Sequence, residues 1–173
     1  KMKKLLPLLA IVLLLFTACA PKQDAALIQR NVFYAGGDGG VKTALSLAGY
    51  TLVDNPAQAD VFVLNGQIPQ GVAEQVKGGK GLVLILGKDM TQNDVQNLLG
   101  QPVTLTYTEN AVSLINAKDA HDELLTEIVW NGAPQVRERV AVTGLGSGSR
   151  ELVSAFEDSE GILYQNSGNQ FVL

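Results

Sequence analysis

The sequence predicts an α/β domain of three layers, with helices on both faces of a mainly parallel sheet and a β-hairpin inserted late. Two observations carry this. Short apolar runs alternate with stretches of helical spacing, the order that parallel strands joined by crossovers produce. Runs such as 60–65 (Asp-Val-Phe-Val-Leu-Asn) and 82–86 (Leu-Val-Leu-Ile-Leu) are apolar almost without interruption, as strands covered on both faces are.

The first strand is expected at 31–36, followed by a helix in which Val41, Ala44, Leu45 and Ala48 share one face and Gly49 marks the end. Strands follow at 50–53 and 60–65. Pro69 opens a helix with Val72, Ala73 and Val76 inward, closed by Gly78 and Gly79, and 82–86 is the most buried strand. Thr91, with Asp94 three residues later, reads as the N-cap of a short helix carrying Val95, Leu98 and Leu99. The period then changes to two. Segments 103–107 and 111–115 alternate around Thr108-Glu109-Asn110, a hairpin pattern. Residues 121–130 are helical, with Leu124, Leu125, Ile128 and Val129 apolar. Strands at 139–143 and 151–156 flank a glycine–serine loop, and 162–165 with 170–173 form a last hairpin. The apolar ending Phe171-Val172-Leu173 predicts an exposed apolar edge, and from it a chain that continues further.

The N-terminus indicates location. Lys1, Lys3 and Lys4 precede twelve uncharged residues, 5–16, and then Thr17-Ala18-Cys19-Ala20. A basic start, a short apolar stretch and small residues are the parts of a secretory signal. Leu15-Phe16-Thr17-Ala18-Cys19 resembles the bacterial lipobox, in which the cysteine becomes the first mature residue and carries the lipid (palmitate among its acyl chains). This divides the chain into a signal peptide at 1–18, a lipidated cysteine with a tether at 19–26, and a domain at 27–173. A transmembrane anchor, needing about 20 apolar residues, and an ordinary cleaved signal are the competing readings. The expected location is extracytoplasmic, on the periplasmic or outer-surface side, with the membrane reached through the lipid on Cys19. Because Cys19 is the only cysteine, the domain has no disulfide, thiol nucleophile or cysteine metal cluster.

Residues 27–173 are enough for one hydrophobic core. The leader holds three of the thirteen cations and none of the seventeen acids, so the remainder carries ten against seventeen, a net charge of −7. With no basic run, nucleic acid is excluded as a partner, and electrostatic attachment to an anionic membrane is disfavoured.

Two stretches resemble the core of the class I glutamine amidotransferase-like superfamily. They are ADVFVLNGQIP (59–69), followed by a helix and VKGGKGLVLILG (76–87), and AHDELLTEIVWNGAP (120–134). The similarity spans 31–173 and rests on glycines and apolar runs. It is nearest to the non-catalytic amidotransferase-like domains of bacterial membrane-associated proteins and to the trehalose-utilisation-like group. It implies a flavodoxin-like or amidotransferase-like sheet. In the enzymes a strained turn after the central strand presents a cysteine that pairs with a His and a Glu. Here that turn is Leu86-Gly87-Lys88-Asp89, which lacks the nucleophile such chemistry requires.

The remaining candidates are weak as chemistry. Around Ser147 the residues Leu145-Gly-Ser-Gly-Ser149 miss both outer glycines of a nucleophile elbow. His121, the only histidine, lies between Asp119 and Asp122–Glu123, a pattern that suits capping at the start of a helix better than a metal site. Trp130 reads as packing over the sheet rather than lining a pocket. The loop Gly36-Gly37-Asp38-Gly39-Gly40-Val41-Lys42-Thr43 puts Val41 where a phosphate-binding loop needs glycine, and Lys42 where a dinucleotide loop needs its third glycine. It therefore predicts a backbone turn with Asp38 capping the helix, and no nucleotide, metal or other cofactor. Asp38, Asn65 and Lys88 follow the first, third and fourth strands and mark the carboxyl edge, where ligands bind in open α/β sheets. The expected function is a non-catalytic binding or scaffolding module of the cell envelope. The alternative is a divergent hydrolase-like enzyme acting on a small or sugar-like substrate at that edge. A two-lobed solute-binding protein would need more chain.

Overall fold

The computed structural model describes residues 30–37, 39–108, 113–119, 121–125, 135–136, 139–155 and 160–173. The first half alternates β1 (Asn31–Gly36), α1 (Gly40–Leu47), β2 (Thr51–Val53), a 3-10 turn (Pro56–Gln58), β3 (Val61–Asn65), α2 (Val72–Lys77), β4 (Gly81–Ile85) and α3 (Gln92–Leu99). The second half is built of strands: β5 (Thr104–Thr108), β6 (Ser113–Ala117), β7 (Gln135–Val136), β8 (Arg139–Thr143), β9 (Arg150–Ala155), β10 (Gly161–Gln165) and β11 (Gln170–Val172).

Among the described residues the main sheet has the order β2-β1-β3-β4-β11-β10-β9-β6-β7. From β2 to β11 the pairing is parallel, and from β11 to β7 it is antiparallel. The chain moves one way from β1 to β2 and the other way from β3 to β4. Right-handed crossovers in opposite directions place α1 on one face and α2 on the other, where α3 packs beside it.

The core lies under α2 and α3. Phe62, Leu64, Leu82 and Leu84 alternate along β3 and β4 and are fully buried with Val172 of β11. Val72 and Val76 of α2 and Val95 and Leu98 of α3 close over them. Each such side chain contributes roughly 1.5–3 kcal/mol by leaving water. α3 starts as its sequence predicts: Thr91 Oγ1 accepts from the Asp94 N–H at 3.2 Å, and Gly100 at φ +68° ends the helix. Leu125, Leu152 and Val153 form a second, smaller cluster against Phe171.

Three expectations are corrected. The segments expected as one hairpin do form strands, but not with each other. β5 pairs with β8 in a separate two-stranded ribbon, Thr104 opposite Thr143, while β6 joins the main sheet beside β9. Alternation fixes which residues share a face, and both distant partners offer a matching apolar face: Val142 and Leu105 pair and pack on the main core. β11 is not an edge strand. It lies between β4 and β10, with Leu86 N–H donating to Leu173 O at 2.6 Å and Leu173 N–H to Leu84 O at 2.8 Å, so its apolar character belongs to an interior position. α1 forms where expected, yet none of its residues is buried, and Ala44 and Ala48 are exposed. Its N-cap is Gly39, which has no side chain to cap with. Asp38, Trp130, the leader with Cys19, and 126–130 of the expected helix lie outside the described residues. Residues 121–125 form turns.

Candidate functional site

In this strand order the crevice between β1 and β3 is the switch point where open α/β sheets hold ligands. Asn65 ends β3 opposite Gly36, which ends β1. The sequence places Asn65 at this edge, and the structure shows what it does there. Its Nδ2 donates to the Tyr34 hydroxyl at 3.1 Å, and that hydroxyl donates to Gly37 O at 2.7 Å. The crevice is thus bridged by its own side chains. Gly36 makes this close approach possible: a Cβ on it would lie 2.7 Å from Asn65 O and 2.9 Å from the Tyr34 hydroxyl.

The next pair of loops is closed by backbone alone. A Cβ on Gly87 would lie 2.7 Å from the Cα of Gly66, so the turns after β3 and β4 press directly together. Lys88 follows Gly87 and is exposed, while Asn65 is half-buried. The edge is reached by both, but Asn65 is engaged with Tyr34 rather than with Lys88. Tyr34 was missed in the sequence because an aromatic inside an apolar run reads as core. Its position two residues before the strand end was the available signal. Gly39, Gly40, Lys42, Thr43 and Ser46 line an open depression on the outer side of α1, beside the glycine-rich loop.

His121 lies at the other end of the sheet. Asp119 accepts from the His121 N–H and Asp122 from the Leu124 N–H, both at 2.9 Å, so these carboxylates close local turns and not the start of a described helix. Asp122 also pairs with Arg150 at the start of β9, which holds this segment at the amino edge. Ser149 Oγ donates to Gly146 O within a turn. Among the described residues no group of three or more His, Cys, Asp or Glu side chains is placed to hold a metal, and no helix is long and apolar enough to cross a membrane.

The antiparallel half also carries paired charges. Arg139 pairs with Glu160 at 2.5 Å, and Lys118 meets Glu151 at 3.3 Å as a charge contact without hydrogen-bond alignment. Tyr164 pairs with Glu151 across β9 and β10. Burial first, then the carboxylates of Glu151 and Glu160, push its phenol above the ordinary value, against a lowering hydrogen bond at Gly161. A phenol with a raised folded pKa stabilises the fold below its unfolded value of about 10 and loses that contribution as pH rises through the folded value. Urea titrations should therefore show Tyr164→Phe removing part of the stability loss above about pH 10, with the slope near neutrality unchanged. An identical alkaline slope in the variant would contradict this assignment.

Sheet order and crossovers define a mainly parallel α/β domain, and its likeness to solved structures gives it the class I glutamine amidotransferase-like fold. No protein-family profile matches the chain, and no curated protein matches it. Solved structures carry the likeness. The cytoplasmic protein STM3548 from Salmonella typhimurium is 11% identical with a TM-score of 0.59, covering 83% of this chain and 86% of its own. A candidate GMP synthase component from Thermoplasma acidophilum gives 10% and 0.57, covering 83% and 82%. SMU.1228c gives 12% and 0.53, covering 84% and 75%. At such identities they establish the fold alone.

Proposed function

We propose that this chain is a lipid-anchored, extracytoplasmic module of the bacterial cell envelope that binds or scaffolds and performs no amidotransferase chemistry. One observation carries the non-catalytic part. The turn that presents the nucleophile in the enzymes is here Leu86-Gly87-Lys88-Asp89 at the carboxyl edge, and the only histidine stands at the amino edge. A five-residue strand separates the two by roughly 16 Å, far beyond the hydrogen-bond reach that a nucleophile and base need. The bridged crevice adds support, since Tyr34 and Asn65 already occupy each other. The polar groups that remain at this edge, Lys88 above all, suit recognition of a partner.

The anchoring part rests on the basic start, the apolar run and Cys19. Replacing Cys19 with Ser should abolish incorporation of labelled palmitate, because the sulfur that carries the lipid is gone, while the apolar leader stays attached and can still hold the variant at the membrane. The same preparation should release no ammonia from glutamine above buffer. Palmitate incorporation that is absent from the parent or survives in Cys19→Ser would remove the anchor, and glutamine turnover would remove the non-catalytic reading.

A further inference from the structure

Among the described residues, three of the five large apolar side chains left open to water stand at one edge of the sheet. Leu47 is 84% exposed, Tyr50 44% and Leu124 43%; Tyr107 and Leu173 lie elsewhere. Leu47 ends α1 and Tyr50 precedes β2, so both are at the amino edge. Leu124 donates its N–H to Asp122, which Arg150 holds at the start of β9, the same edge. In the strand order β2 and β9 are six steps apart, roughly 30 Å at about 4.8 Å per step. The chain also enters here. Arg30 precedes β1, and Ala20 to Gln29 separate it from Cys19, a tether that spans at most roughly 40 Å.

We propose that the amino edge rests on the bilayer interface, with Leu47 and Tyr50 as one contact and Leu124 as the other, on either side of the tether. This rests on the lipid anchor at Cys19. Such contacts are too small to bind alone, but a short tether holds them at high local concentration beside the membrane. Tyrosine suits the headgroup level, with an apolar ring and a polar tip. The attraction is apolar rather than electrostatic. Arg30, Lys80, Lys118 and Arg150 at this edge stand among Asp60, Asp119, Asp122, Glu123 and Glu151, so it carries no net positive charge. The orientation turns Asn65 and Lys88, at the opposite edge, away from the membrane toward soluble or envelope partners.

The test uses the lipidated full chain, in which thioether formation at Cys19 leaves an introduced cysteine as the sole free thiol. Leu47→Cys, Leu124→Cys and, as control, Lys88→Cys are labelled with a nitrobenzoxadiazole fluorophore. Each is reconstituted on vesicles of phosphatidylethanolamine and phosphatidylglycerol, with and without nitroxide-bearing lipid. Quenching at positions 47 and 124 should exceed that at 88 by about threefold or more, and should persist in high salt. Equal quenching at all three positions, with palmitate incorporation and flotation intact, would overturn the orientation while leaving the anchor in place. Missing palmitate and flotation would overturn the anchor and the orientation with it. Protection at 47 that disappears when the protein is diluted on the vesicles would assign this surface to a second copy of the chain and overturn the membrane contact.

Discussion

Phe62→Ala should lower the folding free energy by roughly 3–5 kcal/mol, the largest effect expected of any single truncation in the domain. Phe62 is fully buried on β3, its ring meets that of Phe33 at 5.7 Å between centroids, and it shares one core cluster with Leu64, Leu82 and Leu84. Its neighbours belong to strands held in register on both sides, so the site has little freedom to collapse into the space left behind. Thermal unfolding should show a midpoint lower by about 10 °C or more for a domain of this size. Thr106→Ala, on the exposed ribbon strand β5, should stay within roughly 0.5 kcal/mol of the parent. A small effect at Phe62 would mean that the parallel half is not the core.

The second large effect is expected where there is no side chain. Gly87→Ala puts a methyl group 2.7 Å from the Cα of Gly66, and neither partner has a side chain that could move aside. The two turns must separate, at a cost of about 1–3 kcal/mol. Gly161→Ala supplies the contrast. Its Cβ would overlap the ring end of Tyr164, a side chain that can be removed. Gly161→Ala should therefore cost less when Tyr164 is already Ala than in the parent, whereas nothing at position 66 can rescue Gly87→Ala. Urea unfolding of Gly87→Ala, Gly161→Ala, Tyr164→Ala and the Gly161→Ala/Tyr164→Ala double variant measures both statements. Full stability in Gly87→Ala would show that the edge is looser than its geometry, and would reopen it as a ligand site.

The parallel half was legible because each of its elements announces itself locally. Uninterrupted apolar runs mark β3 and β4, and Thr91 with Asp94 marks the start of α3, while Gly100 as its end comes from the structure. The antiparallel half was legible as strands but not as pairs. A period of two says which residues share a face, and nothing in 103–115 distinguishes the adjacent segment from β8, some thirty residues later, as a partner for β5. The spacing of Val41, Ala44, Leu45 and Ala48 announced a helix but could not say that its apolar stripe would stay largely uncovered. At the candidate site, Asn65 and Lys88 followed from strand ends. The Tyr34–Asn65 bridge and the Gly66–Gly87 contact did not, because they depend on how far apart neighbouring loops settle, a tertiary quantity.

The fold is compatible with catalysis in other proteins, so the functional reading depends on where this domain sits and what its edges lack. Mass measurement of the N-terminal tryptic peptide, from protein made in a bacterium with lipoprotein processing, tests the anchoring most directly. The predicted result is a peptide Cys19-Ala20-Pro21-Lys22 that begins at the cysteine and carries a diacylglyceryl group on its sulfur and an acyl chain mass consistent with palmitate. A peptide that still runs through Thr17-Ala18-Cys19, or one with an unmodified Cys19, would contradict it.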